Sequence, residues 1–188
     1  VTMSGLEELQ NSGEEQLFDL LASRLDVAEA TMLNDISVGL YSDGTGSGGK
    51  TITGLDAAVP QVATSGIYGG INRGTAGNEF WRNQTADSTP TVGATQLAAW
   101  TSLYISCVRG TDQPDLVVAG STQYSMYLGS LQPNMRFSDP KMADAGFTTV
   151  KFMGADVLLD GGINGAATTT DAYFLNTKFL EFVTATKR

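Results

Sequence analysis

The chain has 188 residues, of which 41% are hydrophobic and only 16% are charged, and its net charge at pH 7 is −9. It contains no histidine, which removes the usual general base near neutral pH, the commonest zinc ligand and every Ser–His or Cys–His nucleophile pair. The one cysteine, Cys107, excludes an intrachain disulfide, and its apolar neighbours indicate a buried, unreactive thiol. These absences argue against common hydrolytic chemistry. Paired carboxylates remain compatible with the sequence, but nothing points to a particular pair. We expect a protein that is not an enzyme, with no catalytic residues, cofactor or metal.

The negative charge is concentrated near the start of the chain. Residues 1–49 contain nine acidic residues and only one basic residue, Arg24, whereas the later basic residues are scattered. An acidic segment repels phosphate, so specific nucleic-acid binding is not expected. No apolar run approaches the roughly 18 residues that span a bilayer, and no signal peptide is recognisable. The chain begins at Val1 and ends directly after a strand-like run, which indicates a fragment of a longer protein.

The first predicted element is a long amphipathic helix over residues 13–38. Ser12 and Glu15 form a capping box at its start. Its length exceeds that of a compact lobe of this size, so it should lie along a surface or bridge two parts of the structure. Its apolar stripe is expected to be ordinary buried core and recurs every three or four residues, at Leu17, Leu20, Leu21, Leu25, Ala28, Met32, Leu33, Ile36 and Leu40.

The next region, residues 44–91, is rich in Gly, Thr, Ser and Asn and has no strong periodicity. Its aromatic residues argue against simple disorder, so we interpret it as an extended region that is ordered partly by contacts with other copies. Tyr68, Phe80, Trp81 and Arg82 form an aromatic and cationic cluster within it. This cluster is either a binding hot spot or a small core that fixes the loop.

The second half of the chain alternates between helical and strand-like patterns, which predicts an α+β fold. In chain order we expect a helix from Ala94 to Val108, a buried strand over Asp115–Ala119 and a helix from Ser121 toward Leu131. Phe147–Met153 and Asp156–Asp160, joined at Gly154, are expected to form a hairpin or a bulged strand, and Ala172–Val183 two strands or one long bent strand.

Two patterns suggest ligand chemistry. Gly44 to Thr51 fits the G-x-x-x-x-G-K-[ST] phosphate loop, with Gly44, Gly49, Lys50 and Thr51 at the defining positions. That motif needs a buried strand before it and a helix that begins at the lysine, and the flanking sequence predicts neither convincingly. In the C-terminal lobe the acids that lie near one another in sequence, Asp156, Asp160 and Asp171, form either a calcium site or exposed turn residues.

One segment resembles a known family. Residues 66–83 (GIYGGINRGTAGNEFWRN) are similar to part of the major capsid proteins of tailed phages, in which an Asp or Asn, an Arg and a W-R-N-like run occur in the same order. The resemblance extends over about residues 13–185 and includes PDLVVAG (114–120), YSMYLGSLQPNMRF (124–137), GFTTVKFMGADVLLD (146–160) and the aromatic stretch from residue 172 to residue 183.

The resemblance implies an HK97-like capsid fold. Residues 1–43 would contain the spine helix of the peripheral domain, 44–91 the extended region, 92–170 the axial domain, and 171–188 a strand that returns toward the peripheral part. The N-terminal arm and the extended loop that precede the spine helix in this family are not in this chain. Five residues are then expected to form subunit interfaces or to order the loop, namely Tyr68, Arg73, Phe80, Trp81 and Arg82.

The function that the resemblance implies is self-assembly. Copies would form pentamers and hexamers of an icosahedral phage head that encloses DNA, after synthesis in the cytoplasm of the bacterial host. Scaffold and portal proteins would be further partners, packaged DNA would be only a non-specific neighbour, and no membrane would be involved. Two alternatives stay open at this point: a nucleotide-binding protein that uses the phosphate-loop motif, and another phage structural or adhesin-like module.

Overall fold

A computed structural model describes residues 14–87, 93–131, 150–160 and 167–183. The chain divides into two compact units, residues 1–55 and residues 56–188. Helices and two β-sheets occur along the chain, which confirms the predicted α+β class. The predicted extended region 44–91 is split between the units. The proposed capping residue Ser12 lies outside the described residues.

The first unit is dominated by one helix, α1 (Glu14–Gly39), whose bounds agree with the prediction to within one residue. After α1 the chain turns back on itself, because Leu55 donates its amide hydrogen to Leu40 (2.7 Å) and Gly54 donates to Ser42 (2.9 Å). The Gly-rich stretch between them contains only one helical turn, α2 (Gly46–Gly49). This part of the chain therefore closes against the C-terminal end of α1.

Glycine is required at the point where this closure is tightest. A Cβ atom at Gly54 would lie 2.3 Å from the carbonyl oxygen of Leu40, which is far inside van der Waals contact. The same carbonyl accepts the hydrogen bond from Leu55, so it has little freedom to move away. The close approach of these two backbone segments is possible only without a side chain at residue 54.

From Leu25 onward the apolar stripe of α1 is exposed, which corrects the expectation that it is ordinary buried core. Leu25, Met32 and Leu33 are 54%, 63% and 62% exposed, and Ile36 is also exposed. Within the first unit, the described residues after α1 turn back only at its C-terminal end and pack against Gly39 through Ile52. No described element of that unit runs along the stripe. The amphipathic pattern therefore identified the helix correctly but not what covers its apolar face.

The second unit is built on a four-stranded sheet. Its strands are β3 (Leu116–Ala119), β4 (Val150–Phe152), β5 (Ala155–Leu159) and β6 (Ala172–Leu175), in the spatial order β4-β5-β3-β6. The pair β3 and β5 is parallel, and the other neighbouring pairs are antiparallel. A smaller hairpin, β1 (Ile67–Tyr68) with β2 (Ile71–Asn72), lies earlier in the chain. Among the described strands, β6 therefore lies at an edge of the larger sheet.

Of the two forms expected around Gly154, a hairpin and a bulged strand, the structure shows the hairpin. Strands β4 and β5 are joined by Met153 and Gly154, whose φ angles are +49° and +98°. Positive φ at both central residues of a two-residue turn gives a backbone twist that matches the twist of the two paired strands. Glycine adopts this conformation without strain and so fixes the register that pairs Phe152 with Ala155.

Two helices pack against the sheet and carry the aromatic core. They are α4 (Gly93–Cys107) and α5 (Ser121–Leu131), both of which agree with the prediction, and α3 (Leu55–Ala58) is a single turn. Trp100 of α4 stacks on Tyr127 of α5 at 4.9 Å and meets Phe152 edge-on at 5.5 Å. The Tyr127 hydroxyl donates to Lys151 O (2.9 Å), so this buried ring also has its polar group satisfied.

The C-terminal stretch differs from the prediction. We expected two strands or one long bent strand within Ala172–Val183, but strand structure ends at Leu175, and β6 pairs with β3 in the sheet of the second unit. A 3₁₀ helix follows at Thr177–Phe179. The strand ends there because the Asn176 side chain accepts the Lys178 amide hydrogen (3.1 Å) and Asp115 accepts that of Thr177 (2.8 Å).

Candidate functional site

The most highly organised part of the Gly-rich region surrounds Arg73, which is only 2% exposed. Its guanidinium donates to the carbonyl oxygens of Ala57 (2.9 Å) and Ala58 (2.6 Å), and its Nε to that of Trp81 (3.4 Å). The charged group also lies 5.3 Å from the ring centre of Tyr68. Arg73 therefore ties together three segments of a loop that has little regular structure.

Trp81 closes the other side of this loop. It belongs to a 3₁₀ helix, Glu79–Trp81, and its indole N–H donates to the carbonyl oxygen of Tyr68 (2.9 Å). The Tyr68 and Trp81 rings are stacked at 6.4 Å, and Phe80 meets Trp81 edge-on at 6.3 Å. Phe80 is 66% exposed and Trp81 is 38% exposed, so both rings present apolar surface to the surroundings.

Arg82 and Asn83 complete the closure. Arg82 donates from Nε to the carbonyl oxygen of Arg73 (2.9 Å) and lies 3.6 Å from a carboxylate oxygen of Glu79. Asn83 donates from Nδ2 to Pro60 (2.9 Å). Its Oδ1 atom is buried and accepts no hydrogen bond from the described residues. Because no described donor bonds to this oxygen, the desolvation free energy lost on its burial is not offset by a hydrogen bond.

The structure thus brings the five predicted residues into one cluster, which we call the loop cluster: Tyr68, Arg73, Phe80, Trp81 and Arg82. Its buried Arg73 and its hydrogen bonds from side chain to backbone support the loop-ordering role that the sequence left open. The exposed rings of Phe80 and Trp81 are compatible with a role in subunit interfaces, which stays a prediction. Sequence reasoning missed Asn83 and the acceptor carbonyls of Ala57 and Ala58, because no local pattern identifies a backbone acceptor 15 or 16 residues away.

An open groove of about 930 Å³ lies beside the loop cluster within the second unit. Residues 59–62 and 82–87 form one wall, helix α4 forms another, and the edge strand β6 lies along it. Gln61 links two of the walls by donating to Asp171 (2.9 Å). The groove combines apolar residues of α4, such as Leu103, with the exposed side chain of Arg109. Sequence analysis did not identify it, because its walls come from stretches that are far apart along the chain.

The phosphate-loop motif does not have the geometry that nucleotide binding requires. The segment from Gly44 to Thr51 follows the end of α1, and no strand leads into it. Its helical turn α2 ends before Lys50, which is itself non-helical, and includes left-handed Ser47 and Gly48. Since no helix begins at the lysine, no helix N-terminus faces a phosphate position there. The geometry of Gly44, Gly49, Lys50 and Thr51 therefore does not support a nucleotide site.

The three acids considered for calcium are engaged separately. Asp156 pairs with Lys151 at 3.2 Å, Asp160 accepts the Ala167 amide hydrogen, and Asp171 accepts from Gln61. Within the described ranges, no three Cys, Asp or Glu side chains are grouped so that they could hold a metal ion.

Cys107, the one cysteine, is half-buried at the end of α4. Burial raises the pKa of its thiol, which disfavours the reactive thiolate. This agrees with the unreactive thiol that its apolar neighbours in the sequence predict.

Searches of protein-family models, curated proteins and solved structures found no match to this chain. Across the part of the chain that the structure describes, no helix is both long and apolar enough to cross a membrane.

Proposed function

We propose that this chain is a structural subunit that functions by associating with further copies, and that it is a major capsid protomer of a tailed-phage head with an HK97-like fold. The capsid assignment rests on the sequence resemblance over about residues 13–185. In that role copies associate as pentamers and hexamers of a shell around DNA, with scaffold and portal proteins as further partners. The chain then has no catalytic activity, and its location is the virion.

The observation that carries the proposal is the exposed apolar stripe of α1. Leu25, Met32, Leu33 and Ile36 are all exposed, although three or four apolar residues on one face of a helix normally pack against another element. An exposed apolar patch of this kind is typical of a protein interaction surface. Burial of each such side chain contributes about 1.5–3 kcal/mol of stabilisation. Association with another copy would bury these side chains, since the described part of the chain does not.

The loop cluster supports the same function. A Gly-rich loop loses much conformational entropy when it is ordered, and Arg73 offsets that cost with charge-assisted hydrogen bonds to carbonyl groups. The exposed rings of Phe80 and Trp81 are thereby held in fixed positions. Aromatic residues that are rigid before association contribute strongly to interfaces, because little further entropy is lost. The loop cluster is therefore suited to contact a neighbouring subunit.

The experiment is negative-stain electron microscopy of the complete gene product that contains this chain, expressed with its scaffold partner. Closed shells, or rings of five and six subunits, would support the proposal. Monodisperse monomers over a range of salt concentrations would count against it and would favour an adhesin-like or other phage structural module.

A variant pair tests the observation directly. Leu25→Glu combined with Leu33→Glu should abolish shells and rings, because two buried charges would oppose association, while glutamate preserves helix propensity. Asn34→Glu is the matched control, since Asn34 is exposed on the opposite side of α1. Assembly by the double variant would show that the stripe is not an interface.

The nucleotide-binding alternative has its own test. It requires saturable binding of ATP with magnesium that is lost in Lys50→Ala. The non-helical conformation of Lys50 predicts no saturable binding in either protein.

A further inference from the structure

Strand β6 borders the groove of the second unit, and the backbone hydrogen-bonding groups on one side of this strand do not face β3. The carbonyl oxygens of Asp171 and Leu175 accept hydrogen bonds from Gly120 and Asp115, so these residues direct their backbone toward β3. Because direction alternates along an antiparallel strand, Ala172 and Phe174 present their backbone groups on the other side. No described backbone group from residues 59–87 pairs with that side. Among the residues that the structure describes, this edge of the sheet is therefore unpaired and could accept one more extended segment.

The same chain carries an extended apolar segment that nothing described covers. Phe179, Leu180, Phe182 and Val183 are 64%, 45%, 60% and 83% exposed, and residues 180–183 have no regular secondary structure. We call residues 179–183 the tail. The tail starts at the last residue of the 3₁₀ helix Thr177–Phe179. This helix is fixed, because Thr177 donates from both its amide and its hydroxyl to Asp115 and Lys178 pairs with Asp112 at 3.2 Å. The tail therefore leaves the second unit from an anchored position.

We propose that the tail of one copy lies in the groove of a second copy as an additional strand beside β6. Extended peptides commonly bind to open sheet edges in this way: backbone hydrogen bonds supply affinity, and alternate side chains enter pockets. In an extended tail Leu180 and Phe182 share one face and Glu181 points to the other. Leu180 and Phe182 fit the apolar wall of the groove formed by α4, and Glu181 faces its rim.

Charge complementarity selects the second copy as the occupant. Arg109 lines the groove, its side chain is exposed, and no described carboxylate lies within ion-pair distance of it. Glu181 is the acidic residue of the tail, is exposed, and likewise has no described ion-pair partner. The tail does not line the groove of its own chain. A second copy therefore supplies both an apolar segment for the groove and a carboxylate for Arg109.

This contact is heterologous, since the tail of one copy meets the groove of the next. Repetition of such a contact produces closed rings when the rotation between copies closes and open filaments when it does not. The inference rests on the proposed function only in taking the partner to be another copy, and it assigns to the ring contact a surface separate from the stripe of α1.

The test is sedimentation velocity of the full chain over a wide concentration range. Phe182→Asp should weaken self-association by about tenfold or more, because it places a charge where apolar surface is buried. Arg109→Glu and Glu181→Arg should each weaken it by about threefold or more, because each puts like charges together. Neither position holds the fold through a described ion pair, so circular dichroism should be unchanged. Lys50→Glu makes the same charge change outside the groove and the tail and is the control.

The decisive measurement is an equimolar mixture of the Arg109→Glu chain and the Glu181→Arg chain. Each contact between the two kinds of chain then joins opposite charges, so association should return to the wild-type level, as it should in the chain that carries both substitutions. Failure of both to recover would overturn the proposal. Effects that do not depend on concentration would mean that the tail binds within its own chain, and would also overturn it. Shells that still form with all three single variants would remove the tail contact but leave the proposed assembly function intact.

Discussion

Removal of the Arg73 guanidinium should open the Gly-rich loop while the sheet of the second unit remains folded. Arg73→Met keeps much of the apolar stem but leaves the carbonyls of Ala57 and Ala58, now at 2.9 and 2.6 Å from the guanidinium, without their donor. Hydrogen bonds to a charged group contribute about 1.5–3 kcal/mol each, and relief of the desolvation of the buried charge offsets part of that loss. We therefore expect the free energy of loop opening to fall by about 2–4 kcal/mol.

Amide hydrogen exchange measures this loss directly. The Trp81 and Arg82 amides donate within the loop to Asn78 and Glu79, and their protection should fall by about 30-fold or more, since 1.4 kcal/mol is a factor of ten. The Val117 amide in β3 should keep its protection. Arg73→Lys should give an intermediate loss, because an ammonium cannot reproduce the guanidinium fork. Unchanged protection in Arg73→Met, or an equal loss in β3, would refute the view that Arg73 orders this loop.

Three further results are expected. Trp81→Ala should strongly reduce assembly, as seen by electron microscopy, but lower the melting temperature only slightly. The reason is that the Trp81 indole bonds to Tyr68 outside the aromatic core. Normal assembly of this variant would contradict the prediction. Gly120→Ala should lower the free energy of unfolding in urea by about 1–3 kcal/mol, because its Cβ would lie 2.1 Å from Thr168 O. Gly129→Ala within α5 is the control: it has open space and should raise the free energy of unfolding by about 0.5–1 kcal/mol. Equal effects of the two substitutions would contradict the close packing at Gly120. Burial, with the charges of Asp171 and Asp56, raises the pKa of Tyr173 to about 12, so the unfolded chain loses that proton first. The free energy of unfolding should therefore fall between about pH 10 and pH 12. In Tyr173→Phe, which has no hydroxyl proton to lose, this fall should be smaller by ~2 kcal/mol. Identical alkaline unfolding of the two proteins would rule this out.

Local patterns were sufficient to predict most elements of the fold. The period of apolar residues located α1, α4 and α5, and the Gly at residue 154 located the hairpin, because each of these depends on residues close together in sequence. The C-terminal strand was predicted too long. There the Asn176 and Asp115 side chains capture backbone amides, and one of these partners lies 62 residues away.

The candidate site was only half predictable for the same reason. The aromatic and cationic character of Tyr68, Phe80, Trp81 and Arg82 in a Gly-rich stretch indicated that they act together, and the family resemblance added Arg73. It could not indicate that Arg73 is buried against carbonyl groups, because every peptide unit carries the same acceptor and only the fold selects two of them.

By itself, the sequence determined the α+β class, the helices with their approximate bounds, the turn at Gly154 and the residues of the loop cluster. Only the tertiary structure decided that β6 is an edge strand, that the groove exists, that the stripe of α1 is exposed and that the phosphate-loop motif lacks its flanking strand and helix. The physical reason is the range of the contacts. Helix periodicity and turn geometry act over a few residues, whereas strand order and the groove walls depend on pairs such as Gln61 and Asp171, which are 110 residues apart.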